Sequence, residues 1–434
     1  MLRACRIVCA SKRGFATVVD ASTGFKVAAV DNGQPSSSVT VLLKAGSRYQ
    51  TKPGVAHTLS NFAFKSTAKR SALGTIREAE LYGGVLSSSL SREHLALTAE
   101  FLRGDEEYFV DVLASFLAAP KFTRHELSEY VLPAVHSESH AASQSAPTYA
   151  LELAHALAFR GGLGNSLYAD SQATGNITAE DIRDLHARAV GNPSSVAILG
   201  TGISAESLAK LLEGAVSAHK AHVTPVTSAP VPSATTYRGG STRIASAHGP
   251  QAVFVGFGST ALASVPALHA LAAHLNPAPA LKWASSAALL ASGIPAGVHA
   301  RSVLLPYSDA TLIGVVLEGE DGAALREGAK AVVGAFKDAA GGKVGREELA
   351  RAVARAKFQV AAGVEAREGY VGALGPKVLK GETASVHTVL DGIQGVSAAS
   401  LSQVAGDLVK GKPTYVAIGD VHALPHADEI GLSA

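Results

Sequence analysis

The chain has 434 residues, enough for two or more domains with full cores. Its formal charge of +2 is far from the basic surplus that nucleic-acid binding requires. Hydrophobic residues make up 47% and charged ones 17%, yet no window approaches the roughly 18 uninterrupted apolar residues of a membrane helix, so the composition fits a protein that buries much of its outside against partners.

Residues 1–15, MLRACRIVCASKRGF, carry Arg3, Arg6, Lys12 and Arg13, and no acid occurs before Asp20. An Arg-bearing, acid-free start with interspersed apolar residues predicts a mitochondrial transit peptide; its apolar patches are too short for a secretory signal core. Arg13 stands three residues before the expected cut, between Phe15 and Ala16. Both cysteines, Cys5 and Cys9, fall inside that segment. A mature chain from Ala16 has no thiol, which excludes disulfides, a thiolate nucleophile, Cys-ligated iron–sulfur clusters and covalently attached haem. No cofactor is expected, and loss of the four cations takes the formal charge to −2.

Strands are predicted at SVTVLLKAG (38–46) and HLALTAEFL (94–102), and a helix at 106–118. AELYGGVLSSSLSREHLALTAEFL reads as a helix end, a Gly turn and two strands. A helical pattern starts in FTRHELSEYV (122–131), and Pro133 should kink or shorten it. His125-Glu126-x-x-Glu129 lacks the second His of a zincin helix, and the pair His136 and His140 lacks a third ligand, so both read as solvated helix faces. The run Gly161-Gly162-Leu163-Gly164-Asn165 lacks the Lys-Ser/Thr ending of a phosphate loop and reads as a turn. Gly200-Thr-Gly202 after a strand mimics a dinucleotide fingerprint without the acid expected about 20 residues on. Residues 223–236, VTPVTSAPVPSATT, hold three prolines and no charge, the composition of an extended linker. Beyond it, AVFVGF (252–257) and LIGVVL (312–317) are of strand length.

An internal repeat organises these elements. ITAEDIRDLHARAVGNPSSVAILG (177–200) matches VSAASLSQVAGDLVKGKPTYVAIG (396–419): Ile177, Ile182, Leu185 and Val190 align with Val396, Leu401, Val404 and Val409, each 219 residues on. Each copy has a Thr or Ser cap, an amphipathic helix, a Pro-containing turn and a strand. FTRHELSEYV likewise pairs with VGREELARAV (344–353). The fold class predicted is α+β: two homologous halves, 16–222 and 237–434, each a mixed β-sheet covered by helices.

Residues 54–65, GVAHTLSNFAFK, resemble the GVAHFLEHMAFKGT-type segment of mitochondrial processing peptidases and their pitrilysin-type relatives. That family holds zinc with an inverted His-x-x-Glu-His motif on a helix and a distant Glu. Here the first His is His57, the Glu position is Ser60, the second His position is Asn61, and 76 intervening residues lead on to Glu138. Positions i and i+4 of a helix share a face, so two imidazoles there can grip one zinc while the Glu activates its water. An Asn amide is a poor zinc ligand, and Ser is no general base near neutral pH without its own partner. One imidazole and one carboxylate remain against the three protein ligands of a catalytic zinc. The motif reads as degenerate, with no catalytic residue and no metal.

Within that superfamily, GNSLYADSQATGNITAEDI (164–182) and TIREAELYGGVLSSSLSREHLALTAEFLRGD (75–105) are most similar to the core proteins of ubiquinol–cytochrome c oxidoreductase, respiratory complex III. The α subunit of the processing peptidase, also non-catalytic, has a long glycine-rich loop where this chain reads HLNPAPALKWASS (274–286). The resemblance implies a structural subunit peripheral to the mitochondrial inner membrane on the matrix side. It would pair with a related subunit, core protein 1, beneath cytochrome b, cytochrome c1 and the iron–sulfur protein, together with small subunits. Assembly and stability would be its output, and every redox centre would lie on other chains. The alternative resemblance implies a substrate-binding subunit of the processing peptidase.

Overall fold

Leu95, Leu97, Ala99 and Phe101 are buried and alternate with more exposed neighbours, the period that gives a strand one inward face. A computed structural model describes residues 17–20, 24–170, 174–219, 234–246, 249–279, 289–382 and 385–432. The expected transit peptide, its cut between Phe15 and Ala16, and most of the expected linker lie outside the described residues.

The first sheet holds β1 (Thr17–Asp20), β2 (Lys26–Val30), β3 (Ser36–Leu43), β4 (Val85–Leu90), β5 (Leu95–Leu102) and β6 (Val196–Thr201) in the order β1-β2-β6-β3-β5-β4. The second holds β7 (Gly240–Ala245), β8 (Gln251–Ser259), β9 (His299–Pro306), β10 (Thr311–Gly319) and β11 (Thr414–Gly419) in the order β7-β11-β8-β10-β9. β2 runs parallel to β6, and β7 to β11; all other neighbours are antiparallel. Without β1, the two sheets have the same order and the same strand directions. The sequence repeat is thus a repeat of topology, and the α+β fold with two homologous halves stands.

The helices bearing on the argument are α1 (Val55–Asn61), α2 (Glu106–Ala118), α3 (Leu132–Gln144), α4 (Ala146–Phe159), α5 (Ala179–Val190), α6 (Arg367–Lys380) and α7 (Ala398–Lys410). α5 and α7 are the two copies of the repeated helix. Thr178 and Asp181 cap one reciprocally, as Ser397 and Ser400 cap the other, satisfying N–H groups that a helix start leaves free. α2 occupies the residues its pattern predicts, with Phe109 stacked on Phe101 of β5 at 4.6 Å between ring centroids.

Of the kink or shortening expected at Pro133, the shortening does not occur. Arg124–Glu126 leads into one π-helical turn, Leu127–Val131, and α3 follows directly with the proline in its first turn. The wider turn re-registers the hydrogen-bond ladder where proline has no N–H and crowds a preceding carbonyl.

Each half also lends a helix to the other. Ala146, Ala150, Ala154 and Ala158 form a buried small-residue stripe along α4, which lies on Ala252, Phe254, Leu312, Val416 and Ile418 of the second sheet. In return, Leu374, Val378 and Leu379 of α6 cover Ala28, Leu42, Ala197 and Leu199 of the first. Gly375 permits that approach, because a Cβ there would stand 2.6 Å from Leu42 Cδ2. Neither sheet buries both faces without the other half.

Candidate functional site

α1 starts at Gly54, whose φ of +85° suits glycine, and a Cβ there would stand 2.5 Å from the Cβ of Ala169. The helix therefore begins hard against residue 169 and buries everything from Val55 to Ser60. His57 is 5% exposed. Glu138 reaches it from α3, on the far side of the π-helical turn, with its carboxylate half-exposed.

Three of the four motif positions meet. His57 Nε2 lies 2.6 Å from Glu138 Oε2, and Asn61 Nδ2 donates to the same oxygen at 3.0 Å. Ser60 is directed elsewhere: its hydroxyl donates to Ser88 Oγ at 3.4 Å, and Ser88 donates to the Ser60 carbonyl at 3.0 Å. On the other side of the imidazole, the Ala169 N–H donates to His57 Nδ1 at 3.2 Å, and Tyr168 meets the ring edge-on at 5.6 Å.

These bonds fix the tautomer. A backbone N–H can only donate, so Nδ1 is the bare nitrogen and the proton sits on Nε2, facing Glu138. A zinc-ligating imidazole needs the reverse, with one bare nitrogen on the metal and the other N–H given to an oxygen. Asn61 likewise puts an amide hydrogen where a second imidazole would place a lone pair. Zinc does not fit these residues. Among the described residues, no group of three or more His, Cys, Asp or Glu side chains is placed to hold a metal ion.

The Tyr168 phenol beside His57 stays protonated. Burial, reinforced by the Glu152 and Glu138 carboxylates, pushes the Tyr168 phenol above its ordinary value in spite of Arg92. Of the other two His-bearing stretches, the first departs from the solvated face expected of it, being buried at Glu126, whereas the second is exposed. Glu126 is buried and accepts from the Ser66 N–H at 3.1 Å and the Thr123 hydroxyl at 2.5 Å. His136 is exposed and contacts Thr174 Oγ1 at 3.2 Å, and His140 is exposed on the same helix. The motif spacing located His57, Asn61 and Glu138 but missed Tyr168, Ala169 and Ser88, which complete the pocket. The first two lie inside the 164–182 stretch that carries the core-protein resemblance, which was the available signal.

The family profile of insulinase, peptidase family M16, matches residues 26–171, which contain all of these groups. A "Cytochrome b-c1 complex subunit 2, mitochondrial" from Cryptococcus neoformans var. grubii serotype A is 46% identical over 418 residues, 94% of this chain and 93% of that one. The chain belongs to the mitochondrial cytochrome b-c1 complex subunit 2 family. A member from Yarrowia lipolytica is 36% identical over 94% of this chain and 95% of its own, and one from Homo sapiens 28% identical over 94% and 90%. The match spans both halves, so the family resemblance of residues 54–65 extends to the whole fold. Among the described residues, no helix is long and apolar enough to cross a membrane.

Proposed function

We propose that this chain is a non-catalytic core subunit of the mitochondrial cytochrome b-c1 complex, a scaffold for the assembly and stability of the machine that passes electrons from ubiquinol to cytochrome c. Family membership over 94% of the chain carries the reading. The His57–Glu138–Asn61 arrangement supports it, because the side chains at these motif positions spend their hydrogen bonds on one another instead of on a metal. The motif positions His57, Ser60, Asn61 and Glu138 are accordingly read as a degenerate zinc-peptidase site whose remaining value is packing.

The same reading gives the chain its partners: core protein 1, cytochrome b, cytochrome c1 and the iron–sulfur protein, with the subunit peripheral to the inner membrane on the matrix side. Residues 1–15 would be removed between Phe15 and Ala16, and the halves 16–222 and 237–434 would be joined by a linker at 223–236.

Isolation of the native membrane assembly containing this chain, followed by mass spectrometry of its subunits and metal analysis, tests the proposal. Co-migration with cytochromes b and c1, a mature N-terminus at Ala16, and no zinc on this chain are expected. Recovery with a zinc-bearing peptidase partner and without the cytochromes, or chelator-sensitive peptide cleavage by the chain, would overturn it.

A further inference from the structure

The loop from β9 to β10 commits three consecutive side chains to the other half of the molecule. The Tyr307 hydroxyl donates to His155 Nε2 at 2.7 Å, since the other ring nitrogen of His155 is held by the Leu151 carbonyl at 2.6 Å. Ser308 gives its N–H to Glu93 Oε2 at 2.9 Å and its hydroxyl to Glu93 Oε1. Asp309 receives both terminal nitrogens of Arg48, at 2.7 and 2.6 Å, and the N–H of Thr235 at 3.1 Å. Arg48 also donates to Glu93 at 2.8 Å, which closes the ring of contacts.

Arg48 and Glu93 are 8% and 5% exposed, so these charges meet out of water. Burial opposes the Asp309 carboxylate, yet Arg48 and the Thr235 N–H hold its carboxyl below the ordinary range. Arg92 backs the site through Glu152 at 2.6 Å and the Asn165 carbonyl. Glu93 itself sits in the loop from β4 to β5, which is the counterpart, in the duplicated topology, of the loop from β9 to β10. The equivalent hairpin tips of the two halves thus touch each other.

Elsewhere the halves meet through apolar surface, α4 on one sheet and α6 on the other. Apolar contact is non-directional and tolerates sliding, whereas a bidentate Arg–carboxylate pair fixes one position and one angle. Beside the loop lies a cavity of about 260 Å³ lined by the hydroxyls of Thr40, Ser87, Ser89 and Thr98, with Tyr307 and Val371 supplied by the second half. We propose that Tyr307, Ser308 and Asp309 form a clasp that locks the two halves in one arrangement across this cleft. Arg48 is the post on which the clasp closes.

Hydrogen–deuterium exchange on the full-length chain tests this. Asp309→Ala leaves Arg48 and Glu93 in place while removing the bidentate anchor. Exchange in the two lent helices, α4 and α6, is expected to quicken about tenfold, while α2, packed wholly within its own half, keeps its rate. Tyr307→Phe deletes a single hydroxyl and is expected to quicken the same two helices to a smaller degree. Should Asp309→Ala not fold, Tyr307→Phe decides by the same criterion. Unchanged exchange in α4 and α6, or an equal rise in all three helices, overturns the clasp.

Discussion

His57 holds its position because both ring nitrogens have a partner, Ala169 on one side and Glu138 on the other. The two sides are unequal. Glu138 is half-exposed, so water replaces it as acceptor when it is removed, and Glu138→Ala should cost only about 1 kcal/mol. His57→Ala empties a buried site and strands the Ala169 N–H, so about 3 kcal/mol is expected. Urea denaturation of the two variants checks the order; equal losses would show that the imidazole is not held as described. Refilling the two lost positions is not enough to rebuild the site. Ser60→Glu with Asn61→His restores a base and a second imidazole beside Glu138, but the Ala169 N–H still holds His57 Nδ1 and keeps the ring proton on Nε2, so the doubly substituted chain should bind no stoichiometric zinc. Metal analysis after dialysis against a weak chelator reads this, and about one zinc per molecule would mean that Ala169 does not set the tautomer.

At the scale of single elements, Gly54 decides where α1 begins. Gly54→Ala forces a Cβ into a left-handed backbone and against Ala169, and should cost at least about 2 kcal/mol, with the loss focused on residues 54–61 in hydrogen exchange. A loss below about 0.5 kcal/mol would remove the argument that glycine is required there. Elements of this kind were legible in unequal measure. The 106–118 helix, the hairpin after the Gly turn and the capped helices of the repeat could be read, because acidic first turns, alternation and Thr or Ser caps are local signals. The π-helical turn could not, since Pro133 advertises a break while packing decides whether the helix closes around it. The site divided along the same line. The His57–Glu138 distance followed from inherited spacing, but the Ala169 N–H that sets the tautomer belongs to a loop with no side-chain signature. The lending of α4 and α6 between halves was also hidden, because an alanine stripe names no sheet as its partner.

Taken whole, the molecule buries neutral imidazoles, and this fixes how it answers acid. Burial holds His155 at a pKa of about 3, aided by Arg92 and opposed by the Leu151 carbonyl. It holds His186 at about 4, opposed by the Phe116 carbonyl; His269 and His274 are also lowered by burial. In the unfolded chain each imidazole takes its proton near 6.5. The unfolded state therefore binds more protons between those values, so the stabilisation is complete above pH 6.5 and drains away as pH falls toward 4 and then 3. Each such histidine contributes up to about 1.4 kcal/mol per pH unit in that window, whose upper part lies above the range where most carboxylates titrate. At the alkaline end, burial raises Tyr307 and Tyr49 to about 12, so their contribution is whole below pH 10 and is lost above it. His186 offers the clean test. Its Nε2 is buried with no hydrogen-bond partner among the described residues, and Phe116 and Phe122 meet its ring edge-on at 5.6 and 5.4 Å. His186→Leu should therefore cost only about 1 kcal/mol at pH 7.5, for the lost Phe116 contact. Between pH 6 and 4.5 the same change should flatten the decline by about 1.4 kcal/mol per pH unit, so that the parent and variant curves converge and then cross. Urea titrations at half-unit intervals would show it; parallel curves would mean that His186 is protonated in the folded chain after all.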